Sequence, residues 1–165
     1  MENLDMKTLV IYYSFEGNCQ MVAEEIQSLT GADVLRLKPV NDLKSTGFSR
    51  FIWGGRQVVM GEEPELEPFD VKFEDYDLII LGTPVWAWNY CPALKSFFSK
   101  NQIVRKKVAL FCCHGGGKAK TLTKMRERLE GNEIIGEIDF LDPFKKKAKD
   151  VPSRLSNWLK EMKVL

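Results

Sequence analysis

Leu9-Val10-Ile11-Tyr12-Tyr13-Ser14-Phe15-Glu16-Gly17-Asn18-Cys19-Gln20-Met21-Val22-Ala23-Glu24-Glu25-Ile26 is the stretch whose reading decides the fold. Its first five residues are apolar or aromatic and rich in β-branching, the pattern of a strand buried on both faces, as central parallel strands are. The run stops at Ser14, Gly17 and Asn18, which are turn and cap residues. Behind them Met21, Val22, Ala23, Ile26 and Leu29 recur at helical spacing, so the segment predicts strand, tight polar loop, helix. Such a loop aims backbone N–H groups and the positive end of a helix dipole at one point, and its small side chains let an anion come close. A phosphate cradle and an ordinary strand-to-helix turn both fit this segment taken alone.

With 165 residues the chain has room for one domain with a real core, and residues 1–165 are expected to form it, 1–6 being a short N-terminal extension. The 24 basic and 23 acidic side chains nearly cancel, which argues against a polyelectrolyte surface for nucleic acid. The opening Met1 to Met6 is polar, and no segment approaches the length of a membrane span, so a cytoplasmic protein with no membrane partner is expected. The four cysteines form no CxxC pair and have only His114 as a companion, so no metal site is expected and free, buried thiols suit a reducing compartment.

In chain order, strands and helices alternate without repeats. After the first helix, closed by Thr30-Gly31, Ala32 to Leu37 reads as an edge strand ended by Pro39. A helix is expected across Phe48, Phe51, Ile52, Gly55, Val58 and Val59, imperfect or closely packed because Gly54-Gly55 lies inside it. Tyr76 to Gly82 is a third, central strand. Thr83-Pro84-Val85-Trp86-Ala87-Trp88-Asn89-Tyr90-Cys91-Pro92 is expected to be a loop whose large flat side chains wall a planar ligand, with a hydrophobic plug or subunit contact as the other reading. Lys107 to Cys112 gives a fourth strand, followed by Cys113-His114-Gly115-Gly116-Gly117-Lys118, whose glycines permit close backbone approach but lack P-loop spacing. Thr121 to Leu129 is a helix, Glu133 to Leu141 the fifth strand, Ser153 to Met162 the last helix. Lys145-Lys146-Lys147 reads as a solvated face.

Five strands alternating with helices predict an α/β three-layer, doubly wound sandwich whose five-stranded parallel sheet has the order 2-1-3-4-5, with its ligand outside the carboxyl ends at the switch between strands one and three. At that place the residues resemble the flavodoxin family. Tyr13 to Cys19 is similar to its phosphate loop, usually Thr/Ser-x-Thr-Gly-Asn-Thr, with Glu16 and Cys19 where hydroxyl residues usually stand. Gly82 to Trp88 resembles the loop that holds the isoalloxazine, and Cys113 to Gly115 falls where the third flavin loop does.

The resemblance implies FMN as cofactor. Its phosphate would be held by Ser14, Phe15, Glu16 through the backbone, Gly17, Asn18 and Cys19, and its ring by Thr83, Pro84, Val85, Trp86, Ala87, Trp88, Cys113, His114 and Gly115. Other users of this architecture do not fit: strand three lacks a phosphoacceptor aspartate, no cysteine begins Cys-x5-Arg, and GxGxxG is absent. The readings left open are an FMN electron carrier served by redox partner proteins, an FMN-dependent NAD(P)H oxidoreductase of quinone- or flavin-reductase type, and a flavin-free binding protein. In the redox readings the flavin does the chemistry and no catalytic side chain is implied. A monomer or a homodimer fits either of them.

Overall fold

The computed structural model describes residues 5–42 and 48–165, and within the helix opening at Phe48 the side chains from Gly54 onward. The elements in order are β1 (Thr8–Tyr12), α1 (Asn18–Thr30), β2 (Asp33–Arg36), α2 (Phe48–Val59), β3 (Leu78–Trp86), β4 (Asn89–Tyr90), α3 (Pro92–Lys100), β5 (Lys107–His114), α4 (Thr121–Glu127), β6 (Glu133–Leu141) and α5 (Val151–Glu161). The main sheet runs β2-β1-β3-β5-β6, every pair parallel, while β4 pairs only with β3 and antiparallel to it. Leaving that hairpin strand aside, the five parallel strands follow the expected order. The winding reverses between β1 and β3.

Period-two alternation along the central strands explains the layers. Leu9, Ile11, Ile79, Leu81, Val108 and Leu110 face one side with Leu94 and Phe97 of α3 and Leu122 and Met125 of α4. Val10, Tyr12, Ile80, Ala109 and Phe111 face the other with Val22, Ala23 and Ile26 of α1 and Leu155, Trp158 and Leu159 of α5. Both faces of β1 are therefore covered, and all five of its residues are buried. Gly82 lets the Phe111 ring cross β3: a Cβ there would lie 1.9 Å from Phe111 Cζ. No helix among the described residues is long and apolar enough to cross a membrane.

The expected loop from Thr83 to Trp86 is strand instead. Tyr12 is paired with Gly82 where β1 ends, yet β3 continues to Trp86 and β5 to His114. Pro84 is accommodated there because it lies beyond the end of β1, where β3 has a sheet neighbour on one side only. The chain then turns through Ala87 (φ 47°) and Trp88 (φ 62°) and returns along Asn89 and Tyr90. Two consecutive left-handed residues are the mark of a type I′ hairpin turn, ordinarily signalled by Asn-Gly or Asp-Gly. Neither is present, which hid the hairpin from the sequence.

Candidate functional site

The uneven carboxyl edge of the sheet forms a cavity of about 370 Å³, within the size range of small-molecule sites. It is lined by Ser14, Phe15, Glu16, Asn18 and Cys19 from the β1–α1 loop, by Pro84, Val85, Trp86 and Ala87 from β3 and its turn, and by Cys113, His114 and Gly115 from β5. Three segments far apart in sequence thus meet where the winding reverses. Gly54, Gly55, Asp142 and Lys145 complete the lining and were not expected.

The first wall is the loop at the N-terminus of α1, a place where an anion can be received. Gly17 caps α1 with φ 102°, and a Cβ on it would sit 3.1 Å from the Phe144 ring, so this position suits glycine on both backbone and steric grounds. The thirteen-residue helix behind it points its N-terminus at the loop. Ser14 is 4% exposed, and its Oγ is buried without a hydrogen-bond partner, an arrangement that costs free energy unless something is bound. Around it the loop and the first turn of α1 are pinned by two residues, Arg36 and Phe144. The Arg36 guanidinium donates to the Ser14 carbonyl (3.1 Å) and to Gln20 Oε1 (3.1 Å), while the Phe144 N–H donates to Asn18 Oδ1 (2.9 Å) across 126 residues.

Cys19 lines the cavity, yet its side chain is almost wholly buried. With Val22, Ala23 and Ile26 it begins the sheet-facing stripe of α1, is 1% exposed, and shares a hydrogen bond with the Cys113 thiol. Burial first, and that contact second, push the Cys19 thiol well up. Burial also raises Cys91 to about 11 and raises Cys112 further. All four cysteines are free and buried.

The second wall centres on Trp86, whose ring meets the edges of Tyr13 (centroids 5.5 Å, 88°) and Phe15 (6.1 Å, 85°). Close packing accounts for the first of the two glycines in α2, since a Cβ on Gly54 would lie 3.2 Å from Trp86 Cε3, while one on Gly55 would meet nothing nearer than Ala87 Cβ at 4.0 Å. The side chains of Phe51, Ile52 and Trp53 in the same helix lie outside the described residues. Thr83 is not in the lining. It is fully buried, and its Oγ1 accepts the Cys91 N–H (3.0 Å) and donates to the Pro84 carbonyl (2.8 Å), bracing the hairpin from within. Trp88, at the hairpin tip, is 76% exposed and stands outside the cavity, as does Gly17.

His114 organises the third wall. The Gly117 N–H donates to its Nδ1 (2.9 Å), which leaves the ring proton on Nε2 to be donated to Asp139 Oδ2 (2.7 Å). The glycine loop is therefore shaped by the imidazole. The Asp142 N–H donates to the His114 carbonyl (2.8 Å), drawing the segment after β6 to the same edge and bringing Lys145 into the lining. A solvated face was expected for Lys145 to Lys147. All three are exposed, and Lys145 in addition borders the cavity, because the carboxyl ends of all parallel strands converge on one edge and carry their following loops with them.

A family model described as flavodoxin matches residues 7–161. Among solved structures, a flavoprotein in complex with FMN from Lactobacillus acidophilus is 24% identical with a TM-score of 0.72, the match covering 93% of this chain and 98% of that one. A flavoprotein from Bacteroides eggerthii is 19% identical with a TM-score of 0.75 over 93% and 98% of the two chains. An azoreductase from Bacillus anthracis is 16% identical with a TM-score of 0.53 over 97% and 100%. At these identities the likeness is one of fold. No curated protein matches the sequence.

Proposed function

The chain belongs to the flavodoxin family, and on that premise we propose that it binds FMN non-covalently in the cavity at the carboxyl edge of the sheet and works as an electron-transfer protein. The observation that carries this reading is the buried, unpartnered hydroxyl of Ser14 beside the N-terminus of α1. An anion placed there would receive that hydroxyl together with the N–H groups of the loop and the first helical turn. Ser14, Phe15, Glu16 and Asn18 would surround the phosphate, with Gly17 setting the turn. Pro84, Val85, Trp86 and Ala87 would face one side of the ring, and Cys113, His114 and Gly115 the other.

Bound FMN would supply a redox centre able to take up and release electrons. The residues' part is to bind and orient. Arg36 and Phe144 hold the phosphate loop, Thr83 holds the hairpin wall, and His114 holds the glycine loop through a defined tautomer. Titration of the flavin-free protein with FMN tests the reading. Quenched flavin fluorescence and a shifted visible spectrum at a one-to-one ratio are expected, and no binding would leave a flavin-free protein on this fold. Steady consumption of NADH or NADPH by the loaded protein would instead mark an FMN-dependent oxidoreductase.

A further inference from the structure

The segments 115–120 and 142–150 hold six lysines against two carboxylates, a formal +4 on a chain whose total is +1, so the remainder is net −3. These two segments are neighbours. The Asp142 N–H donates to the His114 carbonyl, Asp142 Oδ2 lies 3.5 Å from where a Gly115 Cβ would be, and Lys118 Nζ is 3.8 Å from Asp139 Oδ1. Lys118, Lys120, Lys145, Lys146, Lys147 and Lys149 are all exposed. Of these six lysines Lys118 alone has an ion pair among the described residues, and its partner Asp139 is already engaged by His114.

Within this patch lies Phe144, 56% exposed, with its ring against Gly17 and its N–H on Asn18. An exposed aromatic ring followed directly in sequence by exposed lysines at 145, 146, 147 and 149 has the composition of an interaction hot spot with a charged rim. Lys145 carries the patch to the cavity itself. A locally basic surface therefore adjoins one edge of the candidate redox site.

We propose that 115–120 and 142–150 together form a docking surface for an acidic electron-transfer protein, whose carboxylates meet the lysines while an apolar spot covers Phe144. The biological sense of the contact rests on the FMN reading; the contact itself does not. A protein is favoured over an anionic lipid surface because the patch is two short loops beside a concave site, with no amphipathic helix to lie in an interface. Complementary charge of this kind governs encounter rate and partner choice and is weakened by salt.

The test uses an oxidised plant-type [2Fe–2S] ferredoxin, which is acidic, with a basic cytochrome c as the opposite-charge control and phosphatidylserine vesicles as a third arm. Titrating ferredoxin into the isotope-labelled chain at about 20 mM ionic strength, with and without FMN, should shift the amides of 115–120 and 142–150, and the dissociation constant should rise about tenfold on going to about 200 mM. The variant K146E/K147E/K149E, altered outside the cavity lining, should fold, bind FMN as the parent does, lose ferredoxin binding by at least about tenfold and gain binding to cytochrome c. Amide shifts elsewhere, a variant that binds ferredoxin as well as the parent, or vesicle binding without ferredoxin binding would each overturn the proposal. Failure to take up FMN would overturn the proposed function and leave the flavin-free titration to decide the docking.

Discussion

Replacing Ser14 by alanine should move two measurements in opposite directions. In the flavin-free protein the Ser14 hydroxyl is buried and unpartnered, and a buried polar group in that condition carries a penalty of about 1–3 kcal/mol. Alanine removes the oxygen and leaves a hole smaller than a methyl group, so urea unfolding of the flavin-free variant should show unchanged stability or a gain of about 1 kcal/mol. In the complex the same hydroxyl would donate to a charged phosphate, an interaction worth about 1.5–3 kcal/mol. Its loss corresponds to about 10- to 150-fold weaker FMN binding, at 1.4 kcal/mol per decade. Riboflavin, which lacks the phosphate, should bind parent and variant alike, so the ratio of FMN to riboflavin affinity, from fluorescence titration, isolates the effect. An FMN affinity within about twofold of the parent would show that the hydroxyl does not meet the phosphate. A flavin-free variant destabilised by more than about 1 kcal/mol would show that the hydroxyl already has a partner in the fold.

Trp86→Ala should weaken FMN and riboflavin together, by about 0.5–1.5 kcal/mol for the lost ring contact and more for the lost area, because Trp86 lines the cavity. Trp88→Gly should leave both affinities unchanged and the stability equal or higher, since it removes an exposed ring and puts glycine at a left-handed turn position. Cys19→Thr should not raise the FMN-to-riboflavin ratio, and it should cost about 1–3 kcal/mol of stability in denaturant titration, because the new hydroxyl replaces a thiol among apolar neighbours. Stability measured against pH should fall from about pH 9 upward. The thiols of Cys19, Cys91 and Cys112 are raised by burial from an ordinary value of 9.0, so above that pH the unfolded chain releases protons that the native one keeps. Stabilisation is complete below 9 and, for Cys91, is lost as pH passes about 11; a flat profile between pH 8 and 11 would contradict the burial of these thiols.

Local pattern carried most of the fold. The unbroken apolar run at Leu9 to Tyr13, the turn at Gly17 and the stripe through Ile26 are dictated by near neighbours in sequence, and so are the bounds of β6. The order of the sheet followed from alternation and the handedness of crossovers, which leave few topologies to choose among. Two kinds of feature escaped. The hairpin at Ala87-Trp88 uses non-glycine residues in left-handed conformations, a local strain that propensity does not advertise. The inner side of Cys19 and the arrival of Asp142 and Lys145 in the lining depend on contacts made after the sheet has formed. The signal for the latter was present, because the segment after β6 leaves the same edge as the other site loops. The lysine run was read by its charge rather than by its place in the topology.

The relative weights of the groups near the phosphate loop bear on how the site discriminates. Lys145 is exposed, so its attraction to an anion is screened and worth about 0–1 kcal/mol. The dipole of α1 adds about 0.3–1 kcal/mol. Cys19, only 1% exposed, has at most a weak thiol donor to offer. The Ser14 hydroxyl, at about 1.5–3 kcal/mol, therefore outweighs either electrostatic contribution. Directional donors of this kind act only when the loop is held still, and the loop is held by Arg36 from β2 and by the Phe144 N–H from the segment after β6. On the proposed reading, recognition of the phosphate would thus be a property of three elements that meet only in the folded chain, and salt should trim it only modestly. The basic surface around Phe144 should be far more sensitive to salt, because its lysines act through solvent. The same ionic strength would loosen a docked partner while leaving FMN in place.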